Sequence, residues 1–204
     1  AIRQFMAPLI AELEKDAGVN LDQPEKGYPA AGTRNIAACI GNRVCRFANY
    51  DTTALAQKIE AAIYPNHYHL KVAVTGCPND CIKAHMHDIG IIGQAVPNYD
   101  EGKCIGCEAC VENCRKKITN ALSFGNYSVE RDDKFCIRCG ECALKCPTGA
   151  MSRGRLLYRI ILAGRTGKRN PRLANTFING ASENVILAVC RNVYRFINIY
   201  IDRS

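Results

Sequence analysis

The feature that most constrains this chain is a run of four cysteines that occurs twice with the same spacing. CIGCEACVENC and CIRCGECALKCP both follow the pattern C-x2-C-x2-C-x3-C, and the second run begins 32 positions after the first. In such a run the first three thiolates bind one iron–sulfur cluster, and the helix that follows carries the fourth to a second cluster. The duplication therefore predicts a small module organised by two clusters.

This crossed arrangement assigns all eight cysteines to [4Fe–4S] clusters. One set comprises Cys104, Cys107, Cys110 and Cys146, and the other comprises Cys114, Cys136, Cys139 and Cys142. Residues 101–150 resemble bacterial two-cluster ferredoxins, although Arg115 follows the first run where Pro147 follows the second. Structural zinc is the alternative interpretation, but tetrahedral zinc sites use pairs of cysteines rather than two identical quadruplets.

The total of 13 cysteines in 204 residues also raises the question of disulfides. A secreted disulfide scaffold would be smaller, and its cysteines would not fall into C-x2-C triplets, so metal binding is the better interpretation. Cys190 lies outside every motif, within a predicted helix, and is expected to be a buried free thiol.

The net charge of +8 comes entirely from the last quarter of the chain, where residues 151–204 hold ten Lys and Arg against two acidic residues. This basic tail lacks the interleaved aromatic residues of single-strand binders, so we expect no nucleic-acid partner. No stretch of 18 apolar residues predicts a membrane span, and no secretory signal is present, so we expect a cytoplasmic protein. The chain begins at Ala1 within a helical pattern, which suggests processing or missing upstream sequence.

Hydrophobic periodicity predicts helices over residues 2–15, after the capping residue Asp51, and from about Ser182 onward. Strands are predicted from Tyr68 to Val74, around Ile89–Ile92, and from Leu156 to Leu162. The last strand and helix are too hydrophobic to stand alone. We therefore expect an α+β fold in which residues 151–204 return to a mixed sheet with flanking helices.

The first four cysteines have a different spacing, with Cys39-x5-Cys45 followed by Cys77-x3-Cys81. The flanking segments RNIAACIGNRVC and HLKVAVTGCPNDCIKAHMHDIGIIG resemble the siroheme and [4Fe–4S] signature of sulfite and nitrite reductases. Together with the ferredoxin-like run and LLYRIILAGRTGKRNPRLA, they resemble in particular the C-subunit branch of the anaerobic sulfite reductases. This resemblance covers about residues 27–200.

The resemblance implies a siroheme/[4Fe–4S] domain made of residues 27–100 and 151–204. A ferredoxin-like insertion at residues 101–150 interrupts this domain, and an N-terminal helix and linker at residues 1–26 precede it. It also implies that Cys39, Cys45, Cys77 and Cys81 hold a third [4Fe–4S] cluster, with Cys81 bridging to the iron of a siroheme.

Several basic residues resemble the positions at which the family binds its substrate anion and siroheme. Arg34 and Lys71 are the catalytic candidates, and each has the alternative of being a solvated residue at the end of an element. Guanidinium and ammonium groups suit the many carboxylates of siroheme. The candidates for this role are Arg165, Lys168, Arg169 and Arg172.

In function, the resemblance implies six-electron reduction of sulfite to sulfide, with electrons relayed through the ferredoxin-like insertion. The alternatives are a nitrite reductase, or a non-catalytic electron-transfer subunit with three clusters. No G-x-G-x-x-G run follows a strand, so flavin or NAD(P)H must belong to a partner. We therefore expect electron-donating subunits that contain iron–sulfur clusters and flavin or NAD(P)H, with sulfite or nitrite as the substrate.

Overall fold

The structure of the protein, a computed structural model, describes residues 8, 11, 12, 15, 35–64, 70–117, 119–166 and 170–200. Four positions of the helix predicted over 2–15 are described, and all four are helical. The apolar residues that predicted this helix lie outside the described residues, as do the first two residues of the strand predicted from Tyr68.

Seven strands are present in the described part of the chain. They are β1 Ile36–Ala38, β2 Val72–Thr75, β3 Ile89–Tyr99, β4 Leu122–Gly125, β5 Ser128–Arg131, β6 Met151–Leu162 and β7 Asn175–Ala181. Five of them form one mixed sheet in the order β1-β2-β3-β6-β7, in which β1, β2 and β3 are parallel and the remaining pairs are antiparallel. The pairing of β6 with β3 returns the chain to the sheet, in agreement with the sequence prediction.

Four α-helices are described, namely α1 Thr52–Ile63, α2 Ala109–Lys116, α3 Glu141–Lys145 and α4 Glu183–Tyr200. The Asp51 carboxylate accepts hydrogen bonds from the Thr53 and Ala54 N–H groups, which fixes the start of α1 as predicted. Leu55, Ile59 and Ile63 of α1 pack with α4 and the sheet into the main hydrophobic core. The predicted helices after Asp51 and Ser182 are therefore confirmed.

The segment between β3 and β6 forms a separate small unit. It contains α2, α3 and the antiparallel hairpin of β4 and β5. Its sequence repeat is also a backbone repeat. Gly106 and Arg138 both have positive φ, as do Glu108 and Gly140, and each pair is separated by the 32-residue period.

The predicted fold class, α+β with a mixed sheet and flanking helices, is confirmed. The structure extends two predicted strands, since β3 continues to Tyr99 and β6 begins at Met151. Their added residues mix buried and exposed positions and lack a continuous apolar pattern, so hydrophobicity alone did not mark them. The sequence analysis also missed β1, the β4–β5 hairpin and the edge strand β7. The boundaries of the ferredoxin-like insertion remain a prediction.

Candidate functional site

The cysteines at 39, 45, 77 and 81, here called the sheet set, gather at one edge of the five-stranded sheet. Parallel strands place their carboxyl ends at the same edge, and Cys39 directly follows β1 while Cys77 lies two residues beyond β2. A 3-10 turn at Gly41–Arg43 reverses the chain, and the Cys45 N–H donates to the Gly41 carbonyl at 3.0 Å. The topology therefore brings both cysteine pairs to one place.

The four thiols of the sheet set are close enough to influence one another. Burial raises the pKa of the Cys77 thiol, and negative charge on Cys81, Cys45 and Cys39 raises it further. The Gly76 N–H donates to Cys39 Sγ at 3.1 Å, a contact of the kind that tunes cluster thiolates. Crowded thiolates need nearby positive charge, which the irons of a cluster supply. The residues therefore fit a cluster.

The loop from Cys77 to Cys81 is held by Asp80, whose φ of 46° is in the left-handed region. Its carboxylate accepts from the Ala84 N–H at 2.7 Å and contacts the His85 ring at 2.9 Å. The His87 ring contacts the Lys83 carbonyl at 3.0 Å. Both described histidines thus shape the turn after Cys81, while Cys81 itself is exposed.

The eight repeated cysteines line two separate cavities, in the crossed pairing that the spacing predicts. The first, the distal set, surrounds a space of ≈ 310 Å³ and comprises Cys104, Cys107, Cys110 and Cys146. The second, the proximal set, surrounds a space of ≈ 360 Å³ and comprises Cys114, Cys136, Cys139 and Cys142. Each cavity thus receives three thiols from one run and the fourth from the other.

Hydrogen bonds and burial shift the pKa values of thiols in these two cavities in opposite directions. Burial raises the pKa of Cys146, but donation from the Met151 N–H at 3.3 Å and from Thr148 outweighs it, so the pKa lies below its ordinary value. Burial, followed by charge on Cys139, raises the pKa of Cys142 to about 12. A buried thiolate of this kind requires a bound cation, so this set also fits a cluster.

No three His, Cys, Asp or Glu side chains of the described residues converge on a single-ion position. The cysteines instead enclose spaces, as the ligands of a polynuclear cluster do. Cys190 is fully buried on α4 within the main hydrophobic core, in agreement with its predicted burial.

Comparison with known proteins identifies the chain's relatives. A family model described as the nitrite and sulphite reductase 4Fe-4S domain matches residues 30–203. The chain belongs to this family. Members of the family hold a [4Fe–4S] cluster, in agreement with the grouping of the sheet set.

The relatives of this family member include the C subunit of the anaerobic sulfite reductase of Salmonella typhimurium, which is 44% identical over 197 residues. That match covers 96% of this chain and 58% of the relative, so the chain spans little more than half of that protein's length. The coenzyme F420-dependent sulfite reductase of Methanocaldococcus jannaschii is 41% identical over 101 residues, which are 47% of this chain and 16% of that protein.

Among solved structures, dissimilatory sulfite reductase I matches with a TM-score of 0.66 and 16% sequence identity, over 97% of this chain and 52% of that one. This likeness supports the fold assignment of the family member. Within the described residues, no helix is both long and apolar enough to cross a membrane.

Two of the basic residues predicted to bind siroheme lie side by side. Arg165 and Arg172 exchange backbone hydrogen bonds of 2.8 and 2.9 Å, and both are exposed. The same loop is tied to the segment after Cys81, because the Ala174 N–H donates to the His85 carbonyl at 2.7 Å. Lys168 and Arg169, between the two arginines, lie outside the described residues.

Lys71, one of the two catalytic candidates, is not brought to the sheet set. Lys71 precedes β2, whereas Cys77 lies beyond its other end, and the six residue steps between them span up to roughly 20 Å. Lys71 is exposed, and its backbone N–H donates to the Asp88 carboxylate at 2.9 Å. Its placement gives no support to contact with an anion at the cluster. Arg34 lies outside the described residues.

Sequence reasoning missed the residues that attach the proximal set to the sheet. The guanidinium of Arg153, on β6, donates to three carbonyls, those of Gly140 at 3.3 Å, Ala48 at 3.1 Å and Arg46 at 2.6 Å. Asn49 Nδ2 donates to the Cys139 carbonyl at 3.5 Å. These contacts join the loop beside Cys45 to the loop between Cys139 and Cys142. No sequence pattern marks such long-range pairs.

Proposed function

We propose that this chain is a siroheme- and [4Fe–4S]-dependent reductase subunit that reduces sulfite to sulfide with six electrons. The observation that carries the proposal is the grouping of twelve cysteines into three sets of four, one of which ends at the exposed Cys81. Similarity to the C subunit of an anaerobic sulfite reductase supports the choice of sulfite.

In this proposal the three sets would hold three [4Fe–4S] clusters, and Cys81 would also hold a siroheme beside the sheet set. When bound, siroheme would supply an iron for the reduction of a small anion, and the clusters would supply electrons singly. The chain's own contribution is to orient these groups. Asp80 fixes the loop that carries Cys81, and backbone N–H groups at Gly76 and Met151 donate to cluster thiolates.

The proposal also gives a role to positively charged side chains. The exposed guanidinium groups of Arg165 and Arg172 are suited to bind carboxylates of siroheme, with Lys168 and Arg169 as further candidates from the sequence. Arg34 is retained as a candidate for binding the substrate anion. Electrons enter from a partner subunit that contains iron–sulfur clusters and flavin or NAD(P)H, and they pass through residues 101–150.

One observation favours a second candidate function, a non-catalytic electron-transfer subunit with three clusters. Lys71, one of two predicted catalytic residues, lies at the opposite end of β2 from the sheet set. An electron carrier needs no cation for a substrate anion at that set. A nitrite reductase would use the same iron, so the assay must include both anions.

The test compares Cys81→Ser with Cys190→Ala in protein purified without oxygen and supplied with a reduced dye. The parent chain and Cys190→Ala should convert sulfite to sulfide, because Cys190 lies outside the three sets. Cys81→Ser should lose turnover while retaining the clusters of the distal and proximal sets. Equal turnover in the two variants would overturn the proposal. Complete cluster loading without turnover of either anion would favour the electron carrier.

A further inference from the structure

Three side chains form a closed hydrogen-bonded ring between the sheet set and the proximal set. Lys117 Nζ lies 2.8 Å from Glu141 Oε1 and donates to Asn79 Oδ1 at 3.1 Å. Asn79 Nδ2 completes the ring by donating to Glu141 Oε1 at 3.3 Å. This amide orientation satisfies both partners, since its oxygen faces the ammonium and its nitrogen faces the carboxylate.

Each member of the ring belongs to a different part of the cluster framework. Asn79 lies between Cys77 and Cys81 in the sheet set, and Glu141 immediately precedes Cys142 in the proximal set. Lys117 follows the helix that carries Cys114, and it lines the cavity of the proximal set. The ring therefore connects the two sets through side chains alone.

Burial of its carboxylate distinguishes this ring from an ordinary surface ion pair, although the Lys117 side chain is itself exposed. Glu141 is only 4% exposed, and a buried carboxylate requires a partner. The hydrogen bond that Lys117 donates to the Glu141 carboxylate raises the pKa of Lys117, and negative charge on Cys139 and Cys77 raises it further. The contacts place the ammonium between the loop that carries Cys77 and Cys81 and the helix that carries Cys142.

We propose that Lys117 is a positioning residue that holds the proximal set against the Cys77–Cys81 loop and places one positive charge between the two sets. Glu141 and Asn79 orient it. This inference rests on the proposed function in one respect, namely that both sets hold clusters. It identifies the proximal set as the immediate electron donor to the sheet set.

The proposal predicts effects of opposite sign on reduction potentials. A reduced cluster carries one more negative charge, so a nearby cation favours reduction and a nearby anion opposes it. Removing the Lys117 charge should therefore lower the potentials of the sheet-set and proximal-set clusters. Removing the Glu141 charge should raise the potential of the proximal-set cluster. The distal-set cluster should keep its potential in both cases.

The experiment is a redox titration of cluster-loaded protein, followed by electron paramagnetic resonance. Lys117→Met should reduce the reduced-to-oxidised ratio of two clusters roughly tenfold at a fixed potential, a shift of about 59 mV. Glu141→Gln should shift one cluster in the opposite direction. Lys117→Arg keeps the charge and should restore the parent potentials. Lys116→Met, on the exposed surface of the same helix, is the matched control.

Unchanged potentials in both Lys117→Met and Glu141→Gln would overturn the proposal, as would equal shifts in Lys116→Met. If Lys117→Met does not retain its clusters, the direction in which Glu141→Gln shifts the reduction potential of the proximal-set cluster tests the proposal instead. A downward or absent shift contradicts the proposal, because a merely structural role would not raise a potential. Failure of the proposed function is distinguishable, because a parent protein that loads the sheet-set and proximal-set clusters but does not reduce sulfite still permits this titration. A parent protein that lacks either cluster contradicts the premise itself.

Discussion

The sheet set and the cysteines of residues 101–150 are built in opposite ways. The sheet set is attached to a core that other residues form, in which Leu55, Ile59 and Ile63 pack against the sheet. In the segment between β3 and β6, the cysteines are themselves part of the small core. Cys110 and Cys142 are buried with Val111, Leu122 and Met151, and Cys114 and Cys146 pack against them.

This comparison shows two ways in which a metal site can keep its shape. A hydrophobic core can preserve the loops of the sheet set before any cluster binds. A core whose members are thiols depends on the cluster to neutralise them and to connect them. In the proposed protein, a cluster would therefore bind to a site that other residues preserve in one region and would be a structural element in the other.

Removal of the clusters is expected to have the largest effect. Chelation or oxidation of all clusters should unfold residues 101–150, because so small a unit has little other core. The described sheet strands and α1 should stay folded. Limited proteolysis and hydrogen exchange on the cluster-free protein would measure this difference. Protease resistance across residues 101–150 in that protein would contradict the comparison.

Arg153→Met should weaken the attachment between the two regions. It removes the donor for three carbonyls, those of Gly140, Ala48 and Arg46. Because charged hydrogen bonds are among the stronger ones, we expect a loss of roughly 3 kcal/mol in the free energy of unfolding. Arg155→Met, exposed on the same strand, is the control. Anaerobic urea unfolding followed by circular dichroism measures both, and equal losses would contradict the role of Arg153.

A smaller effect is expected from Gly76→Ala, which tests the packing of the sheet set alone. A Cβ at Gly76 would lie 2.6 Å from Ala48 Cβ and 3.5 Å from Cys39 Sγ. The loop beside Cys45 must therefore shift, at a cost of about 2 kcal/mol. Gly125→Ala is the control, because its Cβ would meet nothing within 4 Å. The same urea titration applies, and a change of less than about 0.5 kcal/mol for Gly76→Ala would show that this packing is loose.

The sequence predicts those features of the molecule that depend on residues close together along the chain. The crossed pairing of the eight repeated cysteines follows from spacing, because three ligands lie within seven residues and a helix carries the fourth. The start of α1 follows from the Asp51 cap and the apolar residues after it. Both features depend on neighbours along the chain.

The rest depends on contacts between residues far apart in the sequence. Asn79, Lys117 and Glu141 come from three separate loops and helices, and nothing in their local sequence indicates that they meet. Lys71 shows the same dependence. Its assignment to the substrate anion rests on resemblance to the family and stays a prediction, and local sequence does not show that β2 places Lys71 and Cys77 at opposite ends of one strand.

The central claim is that three sets of four cysteines hold three clusters beside a siroheme. It is tested most directly by the absorption spectrum of anaerobically purified protein, with iron and acid-labile sulfide counted on the same sample. The account predicts isobacteriochlorin bands with about thirteen irons and about twelve sulfides per chain. Four or fewer irons per chain would contradict it, because at most one of the three sets would then hold a [4Fe–4S] cluster.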